Sequence, residues 1–309
     1  MNVSRTRLVA LAALLAALSP ALSGAGQTDT RHVETLATLD IGSGGLTVGP
    51  DGTIYVADFG SRLGGGGTGG DRVLKVSPAG EVALFATGLK GASGNEMGLD
   101  GNLYQSNIGA NLISQITPTG QVRVFASEGF ASPVGIASDA AGNLYVVNCG
   151  DGSIQRLTPE GISSRFVQSD AMRCPNGITG DESGNFYVAN FYNGDVLKVT
   201  PDGEVSVLAT LPGNNNGHLI YHAGALYVVA RGAHQIYRVG LDGEVSLIAG
   251  SGEMGGNDGD ALQASFIYPN DIGVSPDGRY LYVNDVAVPS TDGRTLAPTR
   301  LRRIELQRH

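Results

Sequence analysis

An aromatic residue set in a β-favouring triplet returns six times along this chain, at Tyr55, Tyr104, Tyr145, Tyr187, Tyr227 and Tyr282. The intervals are 49, 41, 42, 40 and 55 residues, and a period near 40 marks a repeated supersecondary unit. Each Tyr follows a Gly-containing turn, as in PDGTIYVAD, AAGNLYVVN and ESGNFYVAN, so each reads as the strand leaving a short hairpin. A second anchor keeps the same beat. SPAG at Ser77, TPTG at Thr117, TPEG at Thr158 and TPDG at Thr200 place Pro second and Gly fourth, the chemistry of a type I turn followed by a left-handed Gly. Around these anchors each unit supplies an inner strand, the Tyr strand, a third strand such as DVLKV and an outer strand such as EVSVLAT. Six such units predict an all-β fold, a six-bladed β-propeller of four-stranded antiparallel blades. With Gly at 47 of 309 residues and charged residues at 16%, tight turns must be numerous and long helices scarce.

The two ends of the chain fit together. VETLATL, over 33–39, resembles EVSVLATL, over 204–211, yet precedes the first inner strand, while the sixth unit runs out after a third strand at 301–306. The N-terminal strand is therefore expected to complete the C-terminal blade, removing two open sheet edges. Ahead of it, Arg5 and Arg7 precede an apolar run from Leu8 to Leu18 and the small residues ALSGAG, the pattern of a secretory signal over 1–25. That run rises only about 16 Å as a helix against a hydrocarbon core of roughly 30 Å. A single propeller domain over 26–309 follows, expected to be secreted or periplasmic, with no integral membrane segment after signal cleavage. The formal charge of −9 lacks the basic excess a phosphate backbone demands, which argues against nucleic acid as a partner. Export permits disulfides. Cys149 follows the Tyr strand of the third unit and Cys174 precedes the inner strand of the fourth, so neighbouring blades are expected to share a Cys149–Cys174 bridge, two free thiols being the alternative.

From Ile248 the chain reads IAGSGEMGGNDGDALQASFIYPNDIGVSPDGRYLYVND, which resembles the NHL repeat. Propellers of this kind resemble a wider group that includes the senescence-marker and gluconolactonase family, paraoxonases and strictosidine-synthase-like proteins. That group implies a shared fold and no single reaction. The long excursions, 61–71, 286–298 and the NHL loop 250–265, are all expected to open on one face of the ring. Length variation confined to one rim is how repeat proteins build binding surfaces. A protein, peptide, glycan or small-molecule ligand is expected there.

Aligning the inner strands on Leu46, Met97, Ile136, Ile178, Leu219 and Ile272 places Gly44, Asn95, Val134, Asn176, Gly217 and Asn270 at one level of the channel mouth. Gly45, Glu96, Gly135, Gly177, His218 and Asp271 fall at the next. Amide oxygens with one or two carboxylates suit a hard cation such as Ca²⁺. PNG at 175–177 and PND at 269–271 resemble the segments from which gluconolactonase and paraoxonase relatives present Asn to a divalent metal. The resemblance implies Asn176, Asn270 and Glu96 as ligands, with Glu96, Asp271 or His218 activating water against a lactone. Blade one departs from that pattern, offering Gly44 and Gly45 where an acid belongs, and a polar, hydrated channel mouth is the structural alternative. Asp58, Asn107, Asn148, Asn190 and Asp285 recur three residues after a Tyr, and their repetition predicts a shared structural job on loop backbone. Arg231 and His234 bring cations to an otherwise acidic rim and, with Asn95, are the expected contacts for a ligand bearing a carboxylate. Two functions follow: an exported scaffold that binds a ligand on its variable face, or a divalent-metal-dependent lactonase or esterase.

Overall fold

Each repeat becomes a four-stranded antiparallel meander, illustrated by blade 4 with Pro175–Gly180, Phe186–Asn190, Asp195–Val199 and Val205–Thr210 in consecutive order. The computed structural model describes residues 1, 31–64, 67–290 and 292–306, so the predicted leader, Met1 apart, lies outside the described residues. Five sheets follow this plan and the sixth closes the ring. In it Ile272–Val274, Tyr280–Val286 and Thr299–Glu305 are joined by His32–Leu39 from the other end of the chain, with Val33 opposite Ile304 and Leu39 opposite Thr299. The expected closure is therefore present, with the third strand starting two residues earlier than its sequence suggests.

The repeat Tyr earns its place by two contacts. Its ring packs edge-on against a Phe of the outer strand, at 4.8 Å for Tyr55–Phe85, 4.8 Å for Tyr104–Phe125 and 5.2 Å for Tyr145–Phe166. Its hydroxyl donates to the Asp of the preceding turn, at 2.9 Å from Tyr104 to Asp100 and 2.9 Å from Tyr187 to Asp181. The SPAG-type turns close as expected, with Gly80, Gly120, Gly161 and Gly203 all at φ between 83° and 88°. Blade faces then bury against each other: Ile54, Val56 and Val76 of blade 1 share a core with Leu39, Tyr282 and Leu301 of blade 6.

The polar residue three positions after the Tyr holds the incoming loop. Asp58 accepts from the Gly42 amide at 2.8 Å, Asn107 from Lys90 at 2.9 Å, Asn190 from Arg173 at 3.1 Å and Asp285 from Ile267 at 2.9 Å. These are the structural contacts the repetition predicts.

The NHL loop goes elsewhere than expected. It wraps the outer edge of blade 6, where Gly259–Asp260 pairs with His32 and Val33, and none of its described residues lines the central chamber, which Asn270 further along reaches. Its acids are used internally. Asp258 accepts from the Thr35 amide and hydroxyl, both at 3.0 Å, and from the fully buried Arg302 at 2.8 Å. Arg302 also donates to the Ser265 carbonyl at 3.0 Å and lies 3.6 Å from Asp285, which Arg300 approaches at 2.5 Å. Buried charges kept this way are paired with opposite charge, although the Arg302 Nε has no hydrogen-bond partner among the described residues. Among the described residues no helix is long and apolar enough to cross a membrane.

Candidate functional site

The inner strands crowd the axis. A Cβ on Gly94 would lie 2.5 Å from the Val134 carbonyl oxygen, and one on Gly177 would lie 2.6 Å from the His218 Cα. At this level His218 and Asp271 are the two side chains beyond glycine. His218 reaches across the channel until its Cε1 stands 3.1 Å from where a Gly94 Cβ would be. It borders voids on both sides and so divides the channel into an upper chamber of about 500 Å³ and a lower one of about 340 Å³.

The upper chamber is built by the variable face. The loop after Asp58 and the loop before Thr299 meet over it, tied by the Arg62–Asp292 ion pair at 2.6 Å. The Cys149–Cys174 disulfide bridges blades 3 and 4 in its wall, as expected from the chain topology. Reading one residue beyond the loop-holding Asp or Asn gives the rest of the wall: Phe59, Ile108, Cys149, Phe191 and Arg231, each four positions after its repeat Tyr. The Tyr repeat carried this signal, although the sequence reading singled out only Arg231 and Cys149 among them. Arg231 opens the 3₁₀ turn Arg231–Ala233 that replaces the Asp or Asn arrangement in blade 5 and turns the side chain inward. Burial lowers its pKa to about 10. His234 faces away from the chamber. Its Nδ1 accepts from the Tyr268 amide at 3.2 Å, and burial first, then the Arg231 charge, lower its pKa.

The structure corrects the register of blade 2. Glu96 pairs with Tyr104, as Thr47 pairs with Tyr55 and Thr179 with Tyr187, so Asn95 stands two residues further down than Asn176 and Asn270, and Glu96 three. The slip arose because Asn95 is polar where the other blades carry Leu46, Ile136, Ile178, Leu219 and Ile272, so an apolar match selected Met97 instead. Ser93 and Gly94 are the true ring equivalents of Asn176 and Gly177.

As a result the predicted site is split. Asn176 and Asn270 face the upper chamber, while Asn95, Glu96 and Asp271 face the lower one and His218 stands between. Asp271 accepts from the Leu46 amide at 2.8 Å and the Ile272 amide at 2.7 Å, and its Oδ2 is 3.4 Å from His218 Nδ1. Burial raises Asp271 to about 8, against these two amides and with a further push from Glu96. Burial raises Glu96 to about 7, opposed by its 2.7 Å hydrogen bond from Ser138, and lowers His218 to about 4. The imidazole is thus neutral at pH 7.

This arrangement does not fit the divalent metal that the gluconolactonase resemblance implies. The Asn270 amide donates to the Gly44 carbonyl at 3.0 Å and that of Asn176 to the Asn216 carbonyl at 3.3 Å, and no carboxylate joins them in the upper chamber. Among the described residues no three His, Cys, Asp or Glu side chains could hold one ion.

Fold and chamber together define a six-bladed β-propeller with a small-molecule-sized cavity on its variable face. Within that class, the chain belongs to the virginiamycin B lyase family, whose family model matches residues 25–220. Virginiamycin B lyase from Staphylococcus aureus is 15% identical, with 90% of this chain and 99% of that one covered at a TM-score of 0.61. A gluconolactonase from Xanthomonas campestris is 16% identical, with 89% of each chain covered at 0.67. An auxiliary nutrient binding protein from Bacteroides thetaiotaomicron is 16% identical, with 89% of this chain and 76% of that one covered at 0.67. Identities this low carry the fold and not the chemistry. No curated protein matches the chain.

Proposed function

We propose that this protein is a ligand-binding propeller acting outside the cytoplasm, which takes a small organic solute, or the end of a peptide or glycan, into its upper chamber. The carrying observation is the chamber of about 500 Å³, roofed by two variable loops and walled by Phe59, Leu63, Ile108, Phe191 and Leu296. Dimensions and lining of this kind suit a drug-sized molecule. The disulfide supports an oxidising compartment, and the nutrient-binding neighbour supports solute capture. The test is a thermal-shift screen of small organic solutes against the wild type and Ile108→Trp, which fills the chamber. Ligands should stabilise the wild type and lose at least ten-fold in affinity in the variant. Equal binding by both would place the ligand elsewhere.

A second reading, cleavage of an ester or lactone, is supported by the gluconolactonase neighbour and by the neutral His218 beside Asp271 at the chamber floor. A neutral imidazole can take a proton, and Asp271, raised to about 8, stabilises the imidazolium as a carboxylate only once pH rises past that value. Turnover of aldonolactones or aryl esters that disappears in His218→Gln would establish that reading, and binding without turnover would dismiss it.

A further inference from the structure

Five blades present an equivalent wall position to the upper chamber. Four of these are Phe59, Ile108, the disulfide-bonded Cys149 and Phe191, and the fifth is Arg231. For packing alone an apolar side chain would serve in blade 5 as it does in the others. Arg231 is only 5% exposed, and its Nη2 has no hydrogen-bond partner among the described residues. Its faces are covered by aromatic rings, Tyr268 at 4.7 Å from Cζ and Phe191 at 6.0 Å. Stacking occupies the flat faces of a guanidinium and leaves its edge N–H donors free. An ion held this way without a counter-charge is costly to keep.

The surrounding charges do not relieve it. The other arginine in the wall, Arg62, is paired with Asp292. His234 lies behind, hydrogen-bonded to Tyr268. Among the described residues no Asp or Glu lines the upper chamber. Asp271 is below the His218 partition, with both oxygens on backbone amides.

We infer that the ligand of the upper chamber is a monocarboxylate with an aromatic or branched apolar body. Its carboxylate meets the free edge of Arg231 and its body lies against Phe59, Ile108, Phe191 and the exposed Tyr192 at the mouth. A carboxylate supplies the two parallel acceptors that a guanidinium fork matches. This rests on the upper chamber being a ligand site and names the class of ligand.

The test uses calorimetric titration of the mature protein with indole-3-propionate and 4-phenylbutyrate, each beside its primary amide, in the wild type, Arg231→Met and Arg231→Lys. The wild type should prefer each acid over its amide by about ten-fold or more. Arg231→Met should abolish that preference while still binding the amides, and Arg231→Lys should keep part of it, because the charge remains and the fork is lost. Circular dichroism confirms that the variants fold. Equal affinity for acid and amide in the wild type, an undiminished preference in Arg231→Met, or no binding by either acid would overturn the inference. If neutral solutes still bind the wild type and not Ile108→Trp, the chamber remains a ligand site and the carboxylate assignment alone fails.

Discussion

The two chambers share six inner strands and one partition, yet their chemistry is opposite. The upper one is mostly apolar, carries the unpaired Arg231 and has no carboxylate. The lower one is polar, holding Asn95, Glu96 and Asp271 with the hydroxyl-bearing Thr47, Ser138 and Thr179. The difference comes from what each face adds to the strands. Loops after the Tyr strand deliver large side chains to the upper chamber, whereas the lower face has only short turns and so exposes the inner strands themselves. Variation in loop length can reshape one chamber and leave the other to the scaffold.

The largest expected effect attacks the partition. In Gly94→Val the new Cβ would meet backbone of the next blade, so the inner strands must part, costing about 4 kcal/mol or more. A denaturation midpoint like the wild type's would mean that the strands do not touch at this level.

Glu96→Gln sharpens the contrast through pH. The native carboxyl titrates at about 7 against an ordinary value of 4.5, so the folded state holds a proton that the unfolded chain has released. Glu96 should therefore make wild-type stability fall as pH rises from about 4.5 through 7, by on the order of 3 kcal/mol, and the variant should keep only the fall that Asp271, likewise raised, causes. His218 acts oppositely. Lowered to about 4 from 6.5, it adds stability as pH rises through that interval, but in both proteins alike, so their difference reports Glu96 together with its push on Asp271. A difference that stays flat from pH 5 to 8 would show a carboxyl as well solvated as one at the surface.

The smallest effect concerns Asn95, whose two carboxamide atoms are buried without partners. Asn95→Leu restores the residue type of the other five blades at that level and should stabilise by about 1 kcal/mol or leave stability unchanged, with upper-chamber binding unaltered. Loss of more than about 1 kcal/mol on thermal unfolding would reveal that something in the lower chamber satisfies the amide.

Much of this was legible beforehand because the repeat is local. Tyr55 and its five counterparts fix blade number, and Asp58 and its counterparts fix the loop contacts, since each acts within a few dozen residues of itself. Cys149 and Cys174 could be paired because consecutive blades must be neighbours. The expected metal-ligand set, Asn176, Asn270 and Glu96, was not legible as two separate groups, since one polar residue, Asn95, interrupts an otherwise apolar column and shifts any match by two. Nor did the acids of GGNDGD announce their partners, which lie on strands more than thirty residues away, with Arg302 among them.

By itself, then, the amino-acid order determined the number of blades and their hairpins, because turn chemistry and strand alternation act between near neighbours in the chain, and the closing strand and the disulfide followed from counting strands and setting consecutive units side by side. Tertiary structure alone decided which side chains share a chamber. His218 and Arg231 of blade 5 meet Asp271 of blade 6 and the rings of other blades only there, and their burial, pairing and protonation exist only once the ring has shut around the axis and excluded water from it.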